Sequence, residues 1–322
     1  MKNLFLLSFI VITFFSCEEN NKIIKPLSIG KFNSLLVVVD DLKWQGDVGD
    51  ALRGILAKDL VGYNQPEPTF TLNQIAMYNF GKLLKPSRNI LMVKYGDKNE
   101  ITSDRDRYAA PQQIVTITAK DDKSLMEFIK NNEKKIVNSF RNFDFGVFKS
   151  QLTSKTWDPK NVETFRNLKA NITMPYAYRK VYDTLNYIWF KKEIPRGSLN
   201  LQMYTLPITS EADLNGENII EARNAKGKEY IVGTNDGTYM VTEEAFTPFR
   251  FDVTIDNKKA YETRGTWEMV DTWMAGTFVN YTVIDKVKNR LIVVEGFVYA
   301  PNTKKRDYMF ELEAILKTLK IE

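Results

Sequence analysis

Two segments of this chain place aromatic side chains beside a charged group. In the first, Tyr63 and Phe70 flank Glu67, which stands between Pro66 and Pro68. Prolines on both sides hold the backbone extended and rigid, so this carboxylate could bind a sugar or a cation between two rings. The alternative is that the loop is a rigid connector in which Glu67 accepts backbone hydrogen bonds.

The second segment covers residues 264–273. Because alternate residues of a strand point to opposite faces, Arg264 and Glu268 would share one face and Trp267 would lie on the other, with Trp273 as a further ring. A polar row beside an aromatic row suits carbohydrate binding. The alternative is a cross-strand ion pair above core tryptophans. The predicted ligand surface comprises Tyr63, Glu67, Arg264, Trp267, Glu268 and Trp273.

A third aromatic-rich stretch could also form a ligand surface. It contains Tyr176, Tyr178, Tyr182, Tyr187 and Trp189. An exposed row of this kind would contact a ligand or partner, whereas a half-buried sheet face is the alternative.

Because the chain contains no histidine, catalysis would have to use carboxylate, Lys, Tyr, Ser or Thr side chains. A glycosidase needs two carboxyl groups about 5 to 10 Å apart, and Glu67 with Glu268 is the pair that this sequence offers. Asp40 and Asp41 follow a predicted strand, but neighbouring strand residues point to opposite faces and would not reach one metal ion. We assign no catalytic residue, no metal ligand and no cofactor, and we favour a non-catalytic role.

The composition excludes several kinds of active site. The 322-residue chain contains no histidine and a single cysteine, Cys17. Ser-His-Asp triads, Cys-His dyads and His-x-x-x-His zinc sites are therefore excluded. The net charge is +5, but no arginine-rich block or recognition motif accompanies it, so we expect no nucleic-acid partner.

Cys17 ends an apolar leader. Residues 4–15 follow Lys2 and are too few to span a bilayer, which takes about 20 apolar residues; they match a secretory signal. The sequence Phe14-Phe15-Ser16-Cys17 resembles a bacterial lipoprotein box, in which the cysteine is acylated and the leader removed, although the two phenylalanines depart from the usual residues. An ordinary secretory signal or a single membrane anchor are the alternatives.

The residues after Cys17 are polar. Glu18 and Glu19 open a short acidic and amide-rich stretch that should form a flexible tether. The two acids are similar to the signal that exports Bacteroidota lipoproteins to the cell surface, and a plain tether is the alternative. We therefore expect a signal peptide at 1–16 and a tether at 17–30.

A polar stretch at residues 149–160 predicts the boundary between two domains, at 31–155 and 156–322. In the first, apolar runs predict strands at 35–39, 90–93 and 114–117. Helical spacing predicts helices at 48–56 and 75–84, and a long helix beginning at Asp121 or Asp122. Residues 97–106 are predicted to be a polar loop.

The second domain is predicted to be a meander with a terminal helix. Strands are expected at 172–182, 185–190 and 199–206, a helix at 217–226 and a strand at 230–232. Turns are expected at 235–237, 256–257 and 286–289, and a last helix begins at Asp307. The fold class is therefore α+β, with mostly antiparallel sheets and covering helices, and it allows two related sub-domains.

Three short segments carry a family resemblance: residues 62–70 (GYNQPEPTF), 237–243 (GTYMVTE) and 295–301 (EGFVYAP). Together with the leader, they resemble an uncharacterised family of Bacteroidota lipoproteins, a domain of unknown function. The resemblance implies an outer-membrane lipoprotein and implies no activity or catalytic residues.

These observations predict a cell-envelope protein held in the outer membrane by lipid on Cys17, with the membrane face left open. Its expected role is binding or assembly, with an envelope protein or glycan as partner. The alternative is a carboxylate-based hydrolase acting on envelope glycans or peptides.

Overall fold

A computed structural model describes residues 25–152 and 155–322. Cys17, the leader and most of the predicted tether lie outside this range. No helix within the described ranges is both long and apolar enough to cross a membrane.

The described residues form two large sheets and the helices that cover them. The helices are α1 (Asp41–Gln45), α2 (Asp47–Leu56), α3 (Asp122–Asn131), α4 (Glu133–Gln151), α5 (Glu163–Leu168), α6 (Glu211–Asn215), α7 (Ile219–Tyr230) and α8 (Arg306–Leu316). The strands of the first half are β1 (Ser34–Val38), β2 (Thr71–Ile75), β3 (Asn89–Tyr95), β4 (Glu100–Arg105) and β5 (Gln113–Ala119). Those of the second half are β6 (Ala170–Asn171), β7 (Arg179–Asp183), β8 (Tyr187–Ile194), β9 (Gly197–Pro207), β10 (Met240–Thr242), β11 (Phe249–Ile255), β12 (Lys258–Met269), β13 (Ala275–Asp285), β14 (Arg290–Tyr299) and β15 (Lys320–Ile321).

The N-terminal sheet has the order β2-β1-β3-β5-β4, and only β4 runs antiparallel to its neighbour. One face packs on α2, α3 and α4, and the other is covered by the segment that contains Phe80 and Leu84. Strands buried on both faces need continuous apolar runs, which explains the unbroken Leu35-to-Val39 sequence.

Three predictions for the first half were wrong in detail. The helix predicted at 75–84 is instead the end of β2 followed by a 3₁₀ turn, because residues 71–75 pair in parallel with β1. The loop predicted at 97–106 contains β4, which pairs with β5. The long helix is divided at Asn132 into α3 and α4, while Asp121 caps α3 as predicted, accepting a hydrogen bond from the Ser124 amide at 2.8 Å.

The C-terminal sheet is antiparallel and curls into a half-barrel, with the order β10-β12-β13-β14-β9-β8-β7 and β11 paired to β12. One face packs on α8 and α5 around the largest core, and α7 packs on the opposite face, where its Arg223 pairs with Glu295 of β14. The predicted turn at Asp256 and Asn257 is confirmed. Both residues have positive φ, 48° and 59°, as a two-residue hairpin turn requires.

Two strand predictions for this half were wrong. α7 extends to Tyr230, and the Ile231 amide closes a hydrogen bond to the Gly227 carbonyl, so the strand predicted at 230–232 is reduced to an isolated antiparallel bridge between Val232 and Tyr239. Residues 172–182 form a continuous strand only from Arg179, because Pro175 interrupts the segment and a proline cannot donate to a ladder.

The α+β class with predominantly antiparallel sheets is confirmed, the N-terminal sheet being the parallel exception. The two halves differ in strand order and direction, so the structure gives no support to a relation between them. They meet where α4 packs on α8: the Phe145 ring stacks on the Phe310 ring at 4.7 Å, and Arg141 pairs with Glu313 at 3.1 Å.

Candidate functional site

Glu67 serves as a helix cap between the two halves. Its Oε1 accepts a hydrogen bond from the Lys305 amide at 2.6 Å, and its Oε2 accepts one from the Arg306 amide at 2.8 Å. These amides open α8, where a carboxylate also complements the helix dipole. Because Glu67 is buried with both oxygens occupied, its prediction as a ligand-binding residue is wrong.

Arg264 is buried, and Tyr63 is partly buried. Tyr63 packs against the C-terminal core, and burial raises the pKa of its hydroxyl. Arg264 is buried and pairs with Glu262 and, at 2.7 Å, with Glu313. Burial alone would lower the pKa of Arg264, but Glu313 and Glu262 raise it well above its ordinary value. Arg264 therefore forms an ion pair, as the alternative held, but its partners are Glu262 on the same strand and Glu313 on α8, so the pair is not a cross-strand one.

The close approach of Gly62 to Arg264 fixes this arrangement. Gly62 has φ of +78°, and a Cβ there would lie 2.7 Å from the Arg264 Cβ. Only glycine therefore fits beside the ion pair.

The carboxylate pair proposed for hydrolysis is also wrong. Glu67 is held by two backbone amides and cannot act as an acid or base on a substrate, which leaves Glu268 without a partner. No cluster of three or more histidine, cysteine or acidic residues suited to a metal ion occurs within residues 25–152 and 155–322.

Of the remaining predicted residues, Trp267 lines a groove, whereas Glu268 and Trp273 line an adjoining depression that shares Met269 and Thr272 with it. Trp267 is buried, its Nε1 donates to the Val298 carbonyl at 3.2 Å, and its ring meets Phe297 edge-on. Glu268, the residue after Trp267 in β12, is half-buried. Trp273 is fully exposed in the turn between β12 and β13. The core-tryptophan alternative therefore holds for Trp267, while Trp273 is a surface ring.

This groove opens beyond the end of α7 and has a volume of about 330 Å³. We call it the aromatic groove. Its lining residues are Trp189, Lys191, Ser198, Asn200, Ile231, Val232, Gly233, Thr234, Trp267, Met269, Thr272, Met274, Phe297 and Tyr299. Its size falls at the lower end of the range for ligand pockets, about 300–1,000 Å³.

Rings and neutral polar groups dominate the groove. The Trp189 Nε1 donates to the Asn200 Oδ1 at 3.1 Å, and the Asn200 amide donates to the Ser198 Oγ at 3.1 Å. Its one charged lining residue, Lys191, pairs with Glu193 at 3.0 Å. No carboxylate is among the lining residues of the groove, and Glu268 and Asp271 line the adjoining depression.

The third aromatic stretch contributes to the groove only through Trp189. Tyr178 and Tyr187 are buried, whereas Tyr176 and Tyr182 are exposed, and the Tyr182 ring stacks on Trp189 at 6.1 Å. Asn200 and Tyr299 were missed by the sequence analysis, because strand residues far apart in the chain meet only once the sheet has curled.

A fully buried ion pair lies between α7 and the C-terminal sheet. The Arg223 Nε lies 3.0 Å from the Glu295 Oε2, and the Asn280 and Gln202 side-chain amides also donate to this carboxylate, at 2.9 and 3.1 Å. The Arg223 guanidinium lies 3.9 Å above the Phe278 ring. This network fixes α7 on the sheet, and therefore the segment after α7 that forms one wall of the groove.

Comparisons with known proteins cover both halves. Residues 28–153 match a domain of unknown function (DUF8532), and residues 158–318, half of the chain, match a second domain of unknown function (DUF4837). No curated protein matches this sequence.

Among solved structures, the chain is similar to the Saccharomyces cerevisiae Ran-binding protein Mog1p, with 7% identity, 48% of this chain and 90% of that chain covered, and a TM-score of 0.32. It is also similar to human STARD10, with 9% identity, 52% and 84% coverage, and a TM-score of 0.25. These scores are too low to carry an argument about fold or function.

The expectation of an uncharacterised family is confirmed, and the lipoprotein part of it stays a prediction. The chain belongs to the family defined by the domain of unknown function DUF4837.

Proposed function

We propose that this protein is a lipid-anchored component of the cell envelope whose aromatic groove binds a glycan. The observation that carries the proposal is the lining of the groove: indole and phenol rings, one amide and several hydroxyls, with no carboxylate. Binding is therefore favoured over the hydrolase alternative.

The chemistry of a sugar matches this lining. The C–H face of a pyranose ring is apolar and packs on an aromatic face, while its hydroxyls pair with amide and hydroxyl groups. Trp189 and Tyr299 are partly buried, and the exposed part of each ring can offer such a face. Trp273, fully exposed at the rim, could extend the contact beyond the groove.

The groove is tested by titrating the protein with soluble glycans and following tryptophan fluorescence. The probes are N-acetylglucosamine tetramer, a soluble peptidoglycan disaccharide and a mannan oligomer. We expect saturable binding of at least one probe that weakens at least tenfold in Trp189→Leu. The control is Tyr78→Leu, which removes an exposed ring from the N-terminal half. If no probe binds the folded protein, the glycan proposal fails.

The anchor is supported by sequence alone. Cys17 follows a short apolar leader and precedes a polar stretch, as an acylated cysteine requires. Metabolic labelling with a fatty-acid analogue tests it, with Ser8→Ala as the leader control. We expect label in the natural protein and in Ser8→Ala but none in Cys17→Ala. Label that persists without Cys17 would refute the anchor.

A further inference from the structure

We propose that a second surface of this protein, distinct from the aromatic groove, rests on an anionic phospholipid bilayer. The surface lies at the end of the N-terminal sheet where β1, β3 and β5 begin. It is formed by residues 25–31, 79–88 and 104–112, and we call it the basic patch. The inference deepens the proposed envelope anchor and rests on it.

Hydrogen bonds hold the three segments together. The Ile29 amide donates to the Pro86 carbonyl at 2.9 Å, and the Arg88 amide donates to the Ile29 carbonyl at 2.8 Å. On the other side, the Ala110 amide donates to the Pro26 carbonyl at 2.9 Å. Segments separated by up to about 80 positions in sequence therefore form one continuous surface.

This surface concentrates positive charge. Its three segments contain seven lysines and arginines and two acidic residues, Asp104 and Asp106. Asp104 pairs with Arg107 at 3.5 Å, and the Asp106 carboxylate accepts the Gln112 amide at 2.6 Å. Lys31 and Lys82 are exposed and have no ion-pair partner among the described residues. The patch therefore has an excess of unneutralised cations.

Exposed aliphatic side chains stand among these cations. Leu27 is 82% exposed, Leu83 is 86% exposed and Ile29 is 50% exposed. Leu27 bridges to Ala110 and Ile29 to Ser87, so the backbone positions of both are fixed. Aliphatic tips ringed by lysines are the pattern of a surface that inserts shallowly at the headgroup level of a bilayer.

The position of the patch in the chain favours a bilayer as the partner. Lys25 is eight residues after Cys17, and eight residues span at most about 28 Å. An acylated Cys17 would thus keep the patch within reach of the membrane surface. A nucleic acid would use the lysines but leave the leucines without a role.

The test is vesicle co-sedimentation of the chain beginning at residue 18, which retains every described contact and carries no lipid. The probes are vesicles of equal parts phosphatidylglycerol and phosphatidylcholine, and vesicles of phosphatidylcholine alone. We expect binding to the anionic vesicles that weakens as salt is raised. Each lysine near such a surface contributes about fivefold, so Lys25→Glu, Lys31→Glu and Lys82→Glu together should lower partitioning at least about 100-fold.

A matched variant controls for net charge. Lys259→Glu, Lys286→Glu and Lys304→Glu change the charge equally at exposed positions outside the patch, and should lower partitioning less than tenfold. Equal losses in the two triple variants, or equal binding to both vesicle types, would overturn the proposal.

Leu27→Ser with Leu83→Ser should reduce the binding that survives high salt, and unchanged binding would remove the leucines from the account.

The two proposals fail separately. Loss of fatty-acid label from the natural protein would refute the anchor while leaving vesicle binding by the lipid-free chain unaffected. Preference for duplex DNA over anionic vesicles in competition would refute the bilayer as partner and leave Cys17 untouched.

Discussion

Replacing Glu295 with glutamine would leave the Arg223 guanidinium without a counter-charge in the buried layer between α7 and the C-terminal sheet. Both side chains are completely buried, and they approach to 3.0 Å. Removing one partner of a buried ion pair typically costs about 3–5 kcal/mol. Because a whole domain is stable by only about 5–15 kcal/mol, we expect Glu295→Gln to consume a large share of the free energy of unfolding.

The second variant separates charge from shape. In Arg223→Met with Glu295→Gln, no buried charge remains, and the Gln202 and Asn280 amides can still donate to the oxygen at residue 295. Replacing both partners of a buried pair is often close to neutral. We therefore expect the double variant to be at least about 2 kcal/mol more stable than Glu295→Gln alone, a strong departure from additivity.

The assay is urea denaturation followed by circular dichroism and tryptophan fluorescence, with the m-value checked for each variant. Lys226→Met with Glu229→Gln is the matched control, since this pair at 2.7 Å lies on the solvent side of the same helix. Exposed pairs contribute about 0–1 kcal/mol. The reasoning is refuted if Glu295→Gln costs no more than this control, or if the double variant loses the full sum of both single changes.

Three further predictions concern the junction between the halves and the rim of the groove. Glu67→Ala should cost about 3 kcal/mol of unfolding free energy, because two buried amides at the start of α8 lose a charged acceptor; a urea midpoint equal to that of the natural protein would contradict this. Burial opposes ionisation of Glu313, but Arg264 and the neighbouring cations hold its pKa well below the usual 4.5. A lowered folded-state pKa contributes stability above about pH 4.5 that is lost on acidification, so the unfolding free energy should fall below that pH, and Glu313→Gln should flatten this acid limb. Trp267→Ala should cost about 3–5 kcal/mol and Trp273→Ala less than about 0.5, given that the first ring is buried and the second exposed; similar melting temperatures for the two variants would count against the orientation of β12.

Local patterns predicted local structure well. The apolar run beginning at Leu35 is a strand buried on both faces, and Asp121 caps the helix that follows β5. The turn at Asp256 and Asn257 forms because these residues tolerate positive φ. In each case, the deciding forces act between residues close in sequence.

Long-range pairing overrode local patterns elsewhere. Residues 71–75 form a strand because their backbone pairs with β1, and the helix predicted at 75–84 is reduced to the 3₁₀ turn at Met77–Asn79. The polar segment at 100–105 becomes an edge strand because its backbone pairs with β5, while its polar side chains remain largely in solvent. The sequence of a segment does not show which strand it will pair with, here β1 and β5.

The candidate site was the least predictable part. The carboxylate of Glu67 caps a helix that begins 238 positions later, and Arg264 pairs with Glu313 from the opposite end of the C-terminal half. Sequence showed the residue types suited to a site but not which of them the packing of two halves would bury. Trp189 and Trp267 lie on strands far apart in the sequence, and they line one groove because the curled sheet brings these strands together.

Indole N–H resonances offer the most direct measurement of the central claim, that the aromatic groove binds a glycan. The chain has five tryptophans; Trp189 and Trp267 line the groove, Trp273 stands at its rim, and Trp44 and Trp157 pack elsewhere. On titration with the glycan that binds best, we predict saturable chemical-shift changes at Trp189 and Trp267 while Trp44 and Trp157 stay unchanged. Shifts confined to Trp44 or Trp157, or no shift at any indole, would contradict the account.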